Sequence, residues 1–360
     1  MSRATIAVQM IDSGEAIRKL ALNIARFTGI APLARTFASG IGVILMLHRV
    51  TAHPEKPNGF NRHLNVAPAF LDAVIGDMKR SGYEFISMDE TVERIVARRH
   101  GPKFATITAD DAYLDNLTEA LPVFEKHAAP FTIYVAPSLI NGTADLWWEV
   151  IDDIVAARDL LFVPTSEGRV TLDCSTRAGK HAANVYLNAY LTQRVSEEDQ
   201  RNVVRDLARS AGVDFEKPRK TLMSWEDVRT VAAHPLATIG AHTVNHYNLK
   251  RLSEEKAFSE MADAARILEF ELGVLPRHMA YPYGYAAAVC HREVSLARQA
   301  GFVSAVTTRH GLLHQEHAGH LLALPRISIN GRYQRLAHVR TMLSGVTTPL
   351  ANAGKMLVTV

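Results

Sequence analysis

Two aspartates stand side by side where the apolar run of FATITADDAYLDN ends, at Asp110 and Asp111. Carboxylates do chemistry in two ways: ionised, they hold divalent cations, and beside a water they take its proton. Asp also favours turns and caps, so the plainer reading is a strand-end turn into the next helix. Two other segments carry polar residues where a core would exclude them. ATIGAHTVNH contributes His242 and His246, spaced i and i+4. If that segment turns helically after its strand, both imidazoles reach one point. A carboxylate with two imidazoles leaves open positions on a zinc or similar ion, the pattern of catalytic rather than structural sites. In AYPYG, Pro282, Tyr283 and Gly284 predict a tight turn, and a backbone N–H from such a turn can face a developing oxyanion. Among 16 histidines a His-x-x-x-His pair arises readily by chance. Three such segments, each closing a predicted parallel strand, do not.

The elements that must position these residues alternate. VILMLHRV, after Gly42, is a continuous apolar run of the kind buried parallel strands show. A helix near 68–81, a strand over YEFISM and a helix from Asp89 come next, followed by the strand Phe104 to Thr108, a helix ending near Ala128 and the strand FTIYVAP. Residues 145–220 interrupt the rhythm with DLWWEVIDDIV, a polar middle and a helical pattern over about 181–211. The rhythm resumes with helix SWEDVRTVAA, strand ATIGA and a long helix capped by Ser253 and closed by Gly273. Strand RHMAYPYG, a helix over 290–300 and the strands FVSAVTT and ALPRISI complete it. This order predicts an α/β fold with a parallel sheet closed into a barrel, whose chemistry gathers at the carboxyl ends of the strands. The expected organisation is an N-terminal helical segment at 1–38, a barrel at 39–345 with an insertion at 145–220, and a tail at 346–360.

The chain has 360 residues, 48% hydrophobic and 21% charged, with a net charge of +3. That suits a large buried core, and nothing in it points to nucleic acid. Cys174 and Cys290 form no Cys-x-x-Cys pair, so a cysteine zinc site is not expected. No secretory signal is evident, and IGVILML is too short to span a bilayer, which makes the cytoplasm the expected location. Residues 11–27 fit an amphipathic helix expected to pack on the domain, with peripheral membrane contact through Arg18, Lys19 and Arg26 as the alternative. Oligomeric state is not legible.

TADDAY, HTVNH and YPYG, in this order and context, resemble the motifs of the polysaccharide deacetylases, carbohydrate esterase family four, which includes the rhizobial chitooligosaccharide deacetylases. The resemblance spans about 42 to 331 and takes in LMLHRV, LWWEV, MSWEDV and LPRISING. It implies a distorted (β/α) barrel of about seven strands, a divalent metal, most often zinc, and hydrolysis of N-acetyl groups on amino sugars of an oligo- or polysaccharide. It assigns Asp111, His242 and His246 to the metal, Asp110 to the general base and the Tyr283 N–H to the oxyanion hole, with Pro282 expected to line the substrate site. Two histidines compete for the general acid. His314 lies in the LLH at 312–314, within a polar stretch. His48 follows the first strand and is favoured, because members that begin with such a strand resemble a permuted arrangement. Trp147 and Trp148 either stack on sugar rings or anchor the insertion. Three departures stand out: Ala109 and Ala112 replace the usual Phe and Gly, and Ala280 replaces the arginine that usually partners the base. The rival readings are a relative acting on a non-sugar C–N bond and a non-catalytic binding or scaffold protein.

Overall fold

The computed structural model describes residues 38–52, 59–98 and 101–360; the predicted helix at 11–27 lies outside the described residues. Seven parallel strands close a ring: β1 (Gly42–Leu47), β2 (Phe104–Asp110), β3 (Phe131–Val135), β4 (Ala237–Ala241), β5 (His278–Ala280), β6 (Ser304–His310) and β7 (Leu324–Ser328). Each pairs with its neighbour in sequence. β1 pairs with β2 from Gly42↔Phe104 to Leu47↔Ala109, and on its other side with β7 at Leu45↔Ile327 and Met46↔Ser328. Closure leaves no free edge in the ring. The strand predicted over YEFISM shrinks to Glu84–Phe85, laid against the start of β2. Its extension stops because the Ser87 hydroxyl accepts from the Glu90 N–H and starts the helix Met88–Val96.

Residues alternate between two cores. Val43, Leu45 and Leu47 of β1, with Ala105, Ile107 and Ala109 of β2, belong to the large apolar layer outside the ring. Ile44, Phe104, Tyr134, Ala280, Val306 and Leu324 form a second cluster with Met88 and Ile95 of the helix Met88–Val96. These strand residues have the opposite parity, so they fill the barrel, and the helix stoppers its amino end. Gly240 lies where a Cβ would meet the Tyr134 ring at 2.5 Å, so β4 needs glycine there to let that ring into the interior.

The chain forms two compact units. The larger holds Leu64–Thr143 and Leu222–Val360, with the described residues up to Ala52, and contains the ring. Its last residues are packed: Val358 is buried, and its carbonyl accepts from His317 Nε2 at 3.1 Å. The other unit is Ala144–Thr221 with residues 59–63. In it the helices Trp147–Ala157, Arg177–Gln193 and Gln200–Ala211 accompany an antiparallel hairpin, Leu160–Thr165 with Gly168–Asp173. That hairpin was not apparent as strands in the sequence. Leu161 and Val163 are buried while Leu160 and Phe162 are exposed, so its alternation carries apolar residues on both faces. Among the described residues no helix is long and apolar enough to cross a membrane, and Cys174 and Cys290 are free thiols.

Candidate active site

In an extended strand Asp110 and Asp111 would face opposite sides of the sheet. β2 ends at Asp110, whose parity points into the barrel, and Asp111 then takes a left-handed backbone with φ of 71°. The reversal brings the second carboxylate to the same mouth as the first. The two histidines converge by a similar device, and not by the predicted helical turn: after β4, Thr243 and His246 adopt φ of 59° and 57°. Of the eight non-glycine residues with positive φ among the described residues, five are Asp111, Ala112, Thr243, His246 and Tyr283. Strained backbone of this kind persists where surrounding structure enforces it, and it clusters at functional sites.

Asp110 is buried and held by a residue the sequence reading missed. Arg326, on β7, is fully buried and donates to both carboxylate oxygens, Nη1 to Oδ1 at 2.8 Å and Nη2 to Oδ2 at 2.7 Å. Its Nε donates to the Thr307 carbonyl at 2.9 Å, and Nη1 also reaches Thr108 Oγ1 at 3.1 Å. Burial alone would raise the Asp110 pKa; the charge and hydrogen bonds of Arg326 more than offset it and hold the carboxyl well below the usual carboxylate range. Ala280 therefore does not leave the aspartate without a guanidinium, because another strand delivers one. The signal was parity: in LPRIS, Arg326 has the inward phase of Leu324, on a strand otherwise destined for the core.

His48 follows β1 with the same inward phase. Its Nε2 lies 4.0 Å from Asp110 Oδ2, and its side chain is 23% exposed. Burial pushes its pKa down to about 4, against the pull of Asp110. The strand end is fastened from below: Asn116 Nδ2 donates to the His48 carbonyl at 2.9 Å, and Asp115 accepts from the Val50 N–H at 3.1 Å and from Arg49 Nε at 2.8 Å. His314 lies elsewhere. The Leu313 N–H donates to Gly42 at the opposite end of β1, about 20 Å from the His48 end at strand rise.

Asp111, His242 and His246 form the metal-competent group among the described residues, with one ligand atom from each lying within 4.8 Å of the others. Asp111 Oδ1 is 3.6 Å from His242 Nε2 and 3.4 Å from His246 Nε2. Ligands ~2.0–2.2 Å from a shared tetrahedral ion lie about 3.3–3.6 Å apart, so the two carboxylate–imidazole spacings fit one. Two further observations agree. Asp111 Oδ1 is buried yet accepts no hydrogen bond among the described residues. His242 Nδ1 lies 2.8 Å from the Ala280 carbonyl, and donating to it leaves Nε2 as the free lone pair. Burial, then the neighbouring Asp110 charge, raises Asp111 well above the usual range; burial lowers both histidines. A cation would displace the carboxyl proton and find two neutral imidazoles.

The third segment is a pinned turn. Tyr283 has φ of 63°, and Gly284 with φ of 56° has no room for a Cβ, which would meet the Thr308 nitrogen at 2.5 Å. Thr308 Oγ1 donates to the Tyr283 carbonyl at 2.7 Å, and the Tyr283 ring lies 5.4 Å from that of His246. Pro282 is buried, and its carbonyl accepts from Gly284. In the smaller unit Trp147 is buried at 7% exposure, so its faces are covered by protein, and its ring meets half-buried Trp148 edge to face at 5.6 Å. Of the other departures, Ala109 points into the outer core and away from the mouth. Ala112 occupies a left-handed position, φ 53°, where glycine would be unstrained.

Residues 183–304 match the family model for polysaccharide deacetylase, a segment that contains His242, His246 and Tyr283 and excludes the aspartates. No curated protein matches the chain. Among solved structures it is similar to the Streptococcus pyogenes deacetylase PplD in complex with acetate, at 22% identity and TM-score 0.51 over 83% of this chain and 97% of that one. It is also similar to IcaB from Ammonifex degensii, at 18% identity and TM-score 0.52 over 84% and 97%. A third is the de-N-acetylase from Aggregatibacter actinomycetemcomitans, at 13% identity and TM-score 0.54 over 84% and 99%. At these identities the likeness is one of fold. The family match therefore covers about a third of the chain, and the three solved structures share its fold.

Proposed function

We propose that this protein is a metal-dependent carbohydrate N-deacetylase, removing acetyl groups from amino-sugar residues of an oligo- or polysaccharide. The observation that carries the reading is the convergence of Asp111, His242 and His246 on one point beside the Arg326-held Asp110, in a barrel of deacetylase fold. An acetamide resists water because its carbonyl is a weak electrophile and its amine a poor leaving group. A divalent ion, zinc by the donor set of one carboxylate and two imidazoles, supplies Lewis acidity when bound. The chain's own residues do the rest. Asp110 accepts the proton of the attacking water; Arg326 keeps it ionised and fixes its plane. The Tyr283 N–H faces the oxygen on which charge develops. His48, 4.0 Å across the mouth from Asp110, gives a proton to the departing amine, so the proton taken from water travels a short way. Chitooligosaccharide is one substrate class compatible with this chemistry, and a cytoplasmic location stays part of the proposal.

One observation favours a second reading of the acid and base. Arg326 engages both oxygens of Asp110, which leaves His48 Nε2 the less encumbered acceptor. In that version His48 takes the water proton and later returns it, while the Asp110–Arg326 pair orients it.

The deciding assay measures acetate released from a panel of N-acetylated oligosaccharides, with and without chelator. Release that stops on chelation and returns with zinc supports the reading; a metal-loaded protein that releases none from any member overturns it in favour of a hydrolase of a non-sugar C–N bond or a binding protein. Comparing His48→Ala on a sugar acetamide and on an activated aryl ester separates the two versions. A loss confined to the acetamide marks an acid alone, because the ester's leaving group needs no proton. A comparable loss on both marks His48 as the base.

A further inference from the structure

The loop that carries the two histidines has few backbone partners of its own. Between His242 and His246 it makes no helix or ladder, and two of its residues, Thr243 and His246, are left-handed without being glycine. Something must compensate for that strain. The helix Glu254–Leu272, opened by the Ser253 cap, carries Glu260, which is buried. Its Oε2 accepts from the Val244 N–H at 3.0 Å and from the Asn245 N–H at 2.8 Å, and its Oε1 accepts from Asn245 Nδ2 at 2.6 Å. The Glu260 backbone carbonyl accepts from the Val244 N–H as well, at 3.1 Å. One carboxylate thus gathers three donors from the two residues midway between the histidines. On the far side the Ser138 N–H donates to the Val244 carbonyl at 3.0 Å, which ties the loop to the short helix Pro137–Asn141 that follows β3.

We infer that Glu260 is a positioning residue for the metal centre: it fastens the Val244–Asn245 turn and thereby holds His246 at the same point as His242. The inference rests on reading Asp111, His242 and His246 as metal ligands. A glutamine at 260 removes the negative charge from all three bonds and turns an N–H₂ toward one of the donors, so the clamp weakens throughout. The loop should then relax, and the His246 nitrogen should spend less time where Asp111 and His242 point. Residues behind metal ligands commonly change metal affinity by ~10–100-fold when altered.

The test is metal affinity, not turnover. Metal-free wild type, Glu260→Gln and Asn245→Ala are titrated with Co²⁺ against a competing chelator, following the cobalt absorption bands, and melting temperatures are recorded with and without the ion. The expected result is a Kd raised ~10–100-fold in Glu260→Gln and by a smaller factor in Asn245→Ala, which loses only the Oε1 contact. The rise in melting temperature on adding metal shrinks in proportion to the logarithm of that change. A purely structural role would lower the metal-free melting temperature and leave Kd alone. If Glu260→Gln does not fold, Asn245→Ala carries the measurement. Kd within threefold of wild type in the folded variants overturns the inference. Failure of wild type itself to bind Co²⁺ overturns the metal reading, and the clamp falls with it.

Discussion

At the carboxyl end of the ring His242 spends one ring nitrogen on the Ala280 carbonyl and turns the other toward Asp111. On the next strand, at the amino end, His278 is equally buried, but both its nitrogens are engaged: Nδ1 with Ser304 Oγ at 2.8 Å and Nε2 with Asp89 at 3.2 Å. His317, also at that end, sits between backbone groups of His314 and Val358. The two ends use the same residue types. The backbone differs as well. Left-handed residues near the amino end, such as Gly82, Arg98, Ala128, Gly273 and Gly301, each lie just past a helix and serve to end it. Those at the carboxyl end lie just past strands and redirect side chains. A buried histidine beside a carboxylate is therefore not by itself a site; one nitrogen left over, next to backbone forced out of its preferred region, is the better sign.

Four substitutions press on that contrast. Under the proposed function the largest effect belongs to Asp110→Asn. It keeps shape and metal affinity, cannot take a proton, and should lower acetate release by ~10²–10⁴-fold; near-normal release from metal-loaded protein would remove Asp110 as the base. Next comes Arg326→Met, which strands a buried carboxylate and should cost about 3–5 kcal/mol in urea unfolding. Adding Asp110→Asn to it should restore a good part of that loss, because no unpaired charge remains; additive losses would mean the two do not act as a pair.

His278→Ala is smaller, about 1–3 kcal/mol for two abandoned polar partners, and should leave both metal Kd and turnover per folded molecule unchanged. A drop in metal affinity would erase the distinction between the ends. Smallest is the acid response of Asp89, whose pKa is held below its usual value by the hydrogen bond from His278, against partial burial, with Arg277 helping. A depressed carboxyl contributes stability above its unfolded pKa of ~3.9 and loses it as pH falls through the folded value. The carboxylate is partly exposed, so the contribution is well under ~1 kcal/mol after screening. Asp89→Asn should flatten the acid limb of the melting curve below about pH 4; an unchanged limb would show the contact to be neutral.

The ring was legible because its strands are continuous apolar runs and its helices announce their caps, as Ser253 and Gly273 do. Asp110, Asp111, His242 and His246 were legible because they break those runs at the ends. What stayed hidden depended on distance or on dihedral angles. Arg326 lies 216 positions from the carboxylate it pairs with, and only the closed ring brings them together. Glu260 reads as one more polar helix residue. The convergence of His242 and His246 was expected for the wrong geometric reason, because positive φ at Thr243 and His246 leaves no mark in residue type. The hairpin at 160–173 was lost to exposed Leu160 and Phe162, which blur its alternation.

β7 is the last strand of the ring to be synthesised, and it bears Arg326. Until it arrives, β1 has β2 as its sole ring partner and Asp110 has no guanidinium. Ring closure and charge compensation therefore depend on the same strand, across a very large sequence separation. A chain halted before residue 324 would hold an open sheet with an exposed flank on β1 and a carboxylate facing an apolar interior. Assembly is therefore expected to be slow and to respond to acid, because protonating Asp110 removes the charge that otherwise waits for its partner.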